Sequence, residues 1–229
     1  MRSVKAIIFD KDGVLVDSER VRRDCLKKSA KKHQLPFEDE FYERFLGCNH
    51  ETSLKILIER YKDENIVNEL MDDFASYVKA EYENRNVHLK PGCKEILEYV
   101  KQNAIPYALA TGSSYEGVID DFLSNGYDSI PFEHIITGDQ ITHSKPDPEI
   151  FLKAARLIDT DIRNCLIIED SPKGLEAAIK ADAISCFIKD LATPDKELLS
   201  KVSYQRKDLY EVKDLIKKTW AEQKTRKYP

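Results

Sequence analysis

Long apolar runs are missing from this 229-residue chain. The longest, Ala6-Ile7-Ile8-Phe9 and Cys165-Leu166-Ile167-Ile168, fall far short of the roughly 20 residues a membrane helix needs. No membrane partner is expected. Met1-Arg2-Ser3-Val4-Lys5 carries charge, yet no apolar block or small-residue cleavage site follows it. There is no Asn-x-Ser/Thr sequon and no Cys-x-x-Cys pair. The five cysteines (Cys25, Cys48, Cys93, Cys165 and Cys186) are odd in number and scattered. That pattern argues against a disulfide frame or zinc site and for reduced thiols in a cytoplasmic protein. Positive charge is not in excess: the net charge is -5, which excludes a general attraction for nucleic acid. Repeats and low-complexity tracts are absent, and nothing demands more than a monomer.

What is present is an ordinary globular balance, 41% hydrophobic and 34% charged. The length suits one large domain, or a domain with a smaller insert. Short apolar runs at 4–10, 106–110, 134–137, 164–169 and 184–188 read as strands. Most do not alternate with polar residues, as expected of parallel strands buried on both faces. Amphipathic stretches at 92–103, 115–125, 148–157 and 172–181 separate the later ones, so the class is α/β with a doubly wound parallel sheet. Ser113-Ser114-Tyr115-Glu116 has a capping-box pattern. Asp147-Pro148 and Ser171-Pro172 each set a capping side chain before a proline suited to the first helical turn.

Residues 18–88 differ. They hold helical patterns at 19–33, 38–46, 52–60 and 65–83, without a convincing strand, and predict an all-helical insert. Phe74, Tyr77, Val78 and Tyr82 form a stripe at helical spacing, read as packing. The stretch 206–229 reads as a solvated terminal helix (Leu209, Val212, Leu215, Ile216, Trp220) with a basic, frayed tail.

Four strand-end segments carry chemistry. Asp10-Lys11-Asp12-Gly13 follows the first strand, at the edge where open parallel sheets bind ligands. Alternation on an extended chain lets Asp10 and Asp12 share one site while Lys11 points elsewhere. Paired carboxylates suit a nucleophile and a proton carrier, although an isolated pair also fits a turn in which both cap loop amides. A calcium loop fits poorly, because its distal Glu and third ligand are missing at the required spacing. Thr111-Gly112-Ser113 combines hydroxyl, glycine and a helix start, a natural phosphate cradle. With Ser113 as the capping residue, Thr111 is the better phosphate donor. Lys145 stands in Ser144-Lys145-Pro146-Asp147-Pro148, where two prolines stiffen the loop. Glu169-Asp170 supplies oxygen ligands suited to Mg²⁺. Singly, each has a bland explanation; together they supply acids, a cradle and a balancing cation.

At these residues the chain resembles the haloacid dehalogenase superfamily, over residues 4–190, and within it the β-phosphoglucomutase-like phosphatases with a small helical cap. The resemblance implies a Rossmann-like core of residues 1–17 and 89–229, with a cap of residues 18–88. It implies that Asp10 attacks phosphorus to form an aspartyl-phosphate and that Asp12 moves protons. Thr111 and Gly112 would hold phosphate, and Lys145 would neutralise charge. Asp10, the Asp12 carbonyl and Asp170 would hold Mg²⁺, with Glu169 beside them.

The activity so implied is hydrolysis of a small phosphorylated metabolite, a sugar or polyol phosphate. The alternatives are a sugar-phosphate mutase and, further off, a non-catalytic phosphometabolite-binding protein. Arg22 stands where many relatives have histidine. His50, in Gly47-Cys48-Asn49-His50, replaces the arginine that grips a second phosphate in the mutase, which favours a hydrolase. Arg22, Asn49, His50 and Lys79 are the candidate substrate contacts of the cap. Lys11 replaces an apolar family residue and has no assigned role.

Overall fold

The five apolar runs all form strands: β1 (Ala6–Phe9), β2 (Tyr107–Ala110), β3 (Ile135–Ile136), β4 (Cys165–Glu169) and β5 (Ile184–Ile188). The computed structural model describes residues 2–227, and their side chains as far as Ala221. A sixth strand, β6 (Tyr204–Arg206), was not expected. Its three residues carry no apolar run, and pairing with β5 defines it. The strands lie in the order β3-β2-β1-β4-β5-β6, all parallel.

Alternation along the central strand sorts the core onto two faces. Ile7 and Phe9 enter one cluster with Leu166, Ile168, Ile96, Phe122 and Ile216. Ala6 and Ile8 enter the other, which is rich in alanine (Ala108, Ala110, Ala154, Ala177, Ala178) and admits helices close to the sheet.

Four α-helices follow β1 before the chain returns to the sheet: α1 (Ser18–Lys32), α2 (Asp39–Tyr42), α3 (His50–Tyr61) and α4 (Glu64–Glu83). They bury a cluster of their own, including Leu26, Tyr42, Leu57, Leu70 and Phe74. The chain leaves and re-enters the sheet through paired linkers, with Asp17 N donating to His88 O and Lys90 N to Leu15 O, both at 2.8 Å. The remaining helices are α5 (Cys93–Gln102), α6 (Tyr115–Ser124), α7 (Glu149–Leu157), α8 (Pro172–Lys180), α9 (Lys196–Lys201) and α10 (Leu209–Lys227).

Two expectations need correction. The last helix is not solvated: Leu209, Val212, Leu215 and Ile216 are buried in the first cluster, because α10 packs on α5. The side chains of its basic tail lie outside the described residues. Ser114, not Ser113, caps α6, accepting from Gly117 N at 3.3 Å. Ser171 caps α8 with Pro172 in its first turn, as the sequence predicts.

Candidate active site

Three neighbouring strands deliver the expected residues to one edge. Asp10 follows β1, Thr111 follows β2, and Glu169 ends β4. Register aligns them: Phe9 pairs with both Leu109 and Ile168. Lys145 arrives from the loop before α7 with its side chain 1% exposed. Its ammonium meets Asp10 Oδ1 and Glu169 Oε1, each at 2.5 Å. The other Glu169 oxygen accepts from Asp170 N and Ser171 N, both at 2.9 Å, and from the Ser171 hydroxyl. Glu169 is therefore a fixed counter-charge. Burial, and then the neighbouring carboxylates of Glu169 and Asp12, push the Asp10 carboxyl well above its usual range, against the pull of Lys145.

Asp12 lies in a different environment. Its Oδ1 accepts from Ser18 Oγ at 2.6 Å, and its Oδ2 from Ser113 Oγ at 2.7 Å and Thr111 Oγ1 at 3.1 Å. Lys11 does not point elsewhere. Its buried ammonium sits 3.0 Å from Asp12 Oδ1 and pairs with Asp121 on α6. Asp121 in turn accepts from Tyr82 OH of α4 at 2.5 Å. Burial works to raise the Asp12 proton affinity, but Lys11 and Arg22, with the Ser18 and Ser113 hydrogen bonds, hold it well below the usual carboxylate range.

Asp10, Glu169 and Asp170 each offer a ligand oxygen, all within 4.8 Å of one another. Asp170 Oδ2 is buried without a hydrogen-bond partner among the described residues. An all-oxygen, carboxylate-rich set with an orphaned anionic oxygen fits a hard divalent cation. The Asp12 carboxylate is not in this group, its oxygens being held by Lys11 and hydroxyls.

Above this floor opens a cavity of about 780 Å³ between the helical insert and the sheet edge. Asp10, Asp12, Gly112 and Asp170 line its base; Arg22, Asn49, His50 and Lys79 line its upper wall. A Cβ on Gly112 would come within 2.8 Å of the Cys48 carbonyl, so glycine lets the insert approach the cradle. Arg22 lies over the Phe74 ring at 5.4 Å and, among the described residues, makes no ion pair. Asn49 Oδ1 caps α3 through Thr52 N at 3.0 Å. Lys79 is largely exposed, 4.0 Å from Glu83. The Phe74, Val78 and Tyr82 stripe also faces the cavity, so it does more than pack.

Sequence reasoning missed Glu19, Tyr42 and Asp121, and read Tyr82 as packing alone. Tyr42 OH donates to Glu19 Oε2 at 2.6 Å. Burial, with Asp12 nearby, lifts the Glu19 carboxyl to about 7. Asp121 had a signal: it shares an apolar helical stripe with Val118 and Phe122, and an acid there needs a buried partner.

This edge-and-cavity architecture is that of a doubly wound α/β protein that binds its ligand at the carboxyl ends of its strands. Residues 7–188 match the haloacid dehalogenase-like hydrolase family, and the chain belongs to it. It is 29% identical over 184 residues to a phosphorylated carbohydrates phosphatase of Thermotoga maritima, covering 78% of this chain and 82% of that one. It is also 29% identical over 187 residues to β-phosphoglucomutase of Bacillus subtilis, covering 76% and 78%. The crystal structure of a β-phosphoglucomutase from Clostridium difficile superposes with a TM-score of 0.79 at 25% identity, covering 97% of this chain and 99% of that one.

Proposed function

We propose that the protein is a Mg²⁺-dependent phosphomonoesterase that hydrolyses a small phosphorylated metabolite, a sugar or polyol phosphate, through an aspartyl-phosphate on Asp10. The observation that carries this is the separation of two acids at one cavity floor. Asp10 is held by Lys145 beside Glu169 and Asp170, while Asp12 is held by hydroxyls and Lys11.

An Asp10 oxygen attacks phosphorus, and the P–O bond to the leaving alcohol breaks. Asp12 gives that alcohol oxygen a proton. Water then attacks the phosphorus of the aspartyl-phosphate while Asp12 takes its proton; the P–O bond to Asp10 breaks, restoring the carboxylate and releasing inorganic phosphate. As it stands, Asp12 is ionised and suited to the second half. The negative charge of a phosphate entering beside it raises its proton affinity for the first. Lys145 stabilises charge on the transferring group, with Thr111 and the Gly112 amide cradling its oxygens. A divalent cation at Asp10 and Asp170 would neutralise phosphate charge. Residues 18–88 act as the cap, and Arg22, Asn49, His50 and Lys79 face the leaving group. Arg22, without an ion pair among the described residues, supports a polar or anionic group there.

Similarity to β-phosphoglucomutase favours a mutase as the second reading. His50 in place of a cap arginine favours the hydrolase. A panel of phosphorylated metabolites with Mg²⁺ separates them: released inorganic phosphate supports hydrolysis, and an isomerised sugar phosphate without release refutes it.

A further inference from the structure

Asp190 follows β5 and reaches the same sheet edge one strand beyond Asp170. Its carboxylate is fully buried. One oxygen, Oδ1, accepts from Lys90 Nζ at 2.6 Å and from Arg20 at 3.1 Å, so both residues beside the linkers anchor it. The other oxygen, Oδ2, is buried without a hydrogen-bond partner among the described residues. The second such oxygen is Asp170 Oδ2.

These two orphaned oxygens converge. A Cβ on Gly13 would lie 2.3 Å from Asp170 Oδ2 and 3.1 Å from Asp190 Oδ2. Gly13, at φ +79°, leaves that space open. Two buried anionic oxygens facing one gap repel unless a donor or cation lies between them. Anchoring Lys90 and Arg20 needs only Oδ1 and does not explain the aim of Oδ2. Nor does Asp190 belong to the group of acids whose ligand atoms lie within 4.8 Å of one another.

We propose that Asp190 Oδ2 accepts a hydrogen bond from a water carried by the divalent cation at Asp10 and Asp170, making Asp190 a positioning residue for a hydrated cation. Mg²⁺ keeps several of its waters when bound, and outer partners of this kind govern affinity. The inference rests on the metal reading above and extends it to a residue that follows a third strand, β5.

The test uses the full chain and Mn²⁺ as probe, with its dissociation constant read by electron paramagnetic resonance. Asp190→Asn keeps Oδ1 for Lys90 and Arg20 and turns an amide N–H toward Asp170. The expected result is a 10- to 100-fold weaker Mn²⁺ affinity. In EDTA, the urea midpoint stays equal to or above wild type, because the apo repulsion is relieved. Wild-type affinity in Asp190→Asn, with affinity lost in Asp170→Asn, overturns the proposal and leaves the metal reading standing. A lower EDTA midpoint in Asp190→Asn assigns a purely structural role and overturns it too. Absence of Mn²⁺ binding by the wild type removes both.

Discussion

Lys11 holds its ammonium 3.0 Å from the carboxylate of its neighbour Asp12 while pairing with Asp121, 110 residues further along. The side chain is 2% exposed. This one cation links Asp12, a core helix and, through Tyr82, the helical insert.

Lys11→Met strands two buried carboxylates. Removing one partner of a buried ion pair costs about 3–5 kcal/mol, to be read by urea unfolding, and Asp121→Asn in the same chain should recover part of it. Because Lys11 depresses the Asp12 proton affinity, the alkaline limb of the kcat/KM profile, set by the acid form of Asp12, should also move to higher pH in the variant.

Asp10→Asn should abolish Mg²⁺-dependent phosphate release, and beryllium fluoride with Mg²⁺ should trap on Asp10 in the wild type. For Asp12→Ala the expected loss is about 10²- to 10⁴-fold, the usual share of general acid–base catalysis. A wild-type rate in either variant refutes its assigned role.

Glu19 predicts a pH dependence of stability. With its carboxyl raised from 4.5 to about 7 in the fold, the native state binds more protons than the unfolded chain between those values. Stability therefore falls as pH rises from 4.5 to 7 and levels off above. Glu19 is 8% exposed, and the shift corresponds to roughly 3 kcal/mol. Comparing Glu19→Gln with wild type in EDTA isolates this group: the variant should lose that part of the slope.

Ile216→Ala tests the seating of α10. Ile216 is fully buried, so truncation should cost about 2–5 kcal/mol in chemical unfolding. A change within about 0.5 kcal/mol, the range typical of surface sites, would mean that the helix is solvated.

Much of the site was legible because its residues sit at strand ends marked by local patterns. Asp10, Thr111, Glu169 and Asp170 stand where apolar runs stop, Lys145 joins them from a proline-stiffened loop, and Pro172 marks the start of α8 as proposed from sequence. Asp190 also follows an apolar run, but a lone acid after a strand carries no local mark. β6 was invisible because Tyr204-Gln205-Arg206 has no hydrophobic pattern, and only the edge of β5 extends it.

The sequence by itself determined the α/β class, the helical insert after the first strand and the acids gathered at the carboxyl edge. Periodicity, glycine and proline placement are local properties, legible without neighbours. Only the tertiary structure decided which charges meet: Lys11 with Asp121, Asp12 with Ser113, Asp190 Oδ2 facing Asp170 Oδ2. Those pairings depend on strand order and on how α4 and α6 close over the sheet. Burial then sets their electrostatics, holding Asp12 ionised and raising Glu19, and no spacing along the chain encodes that.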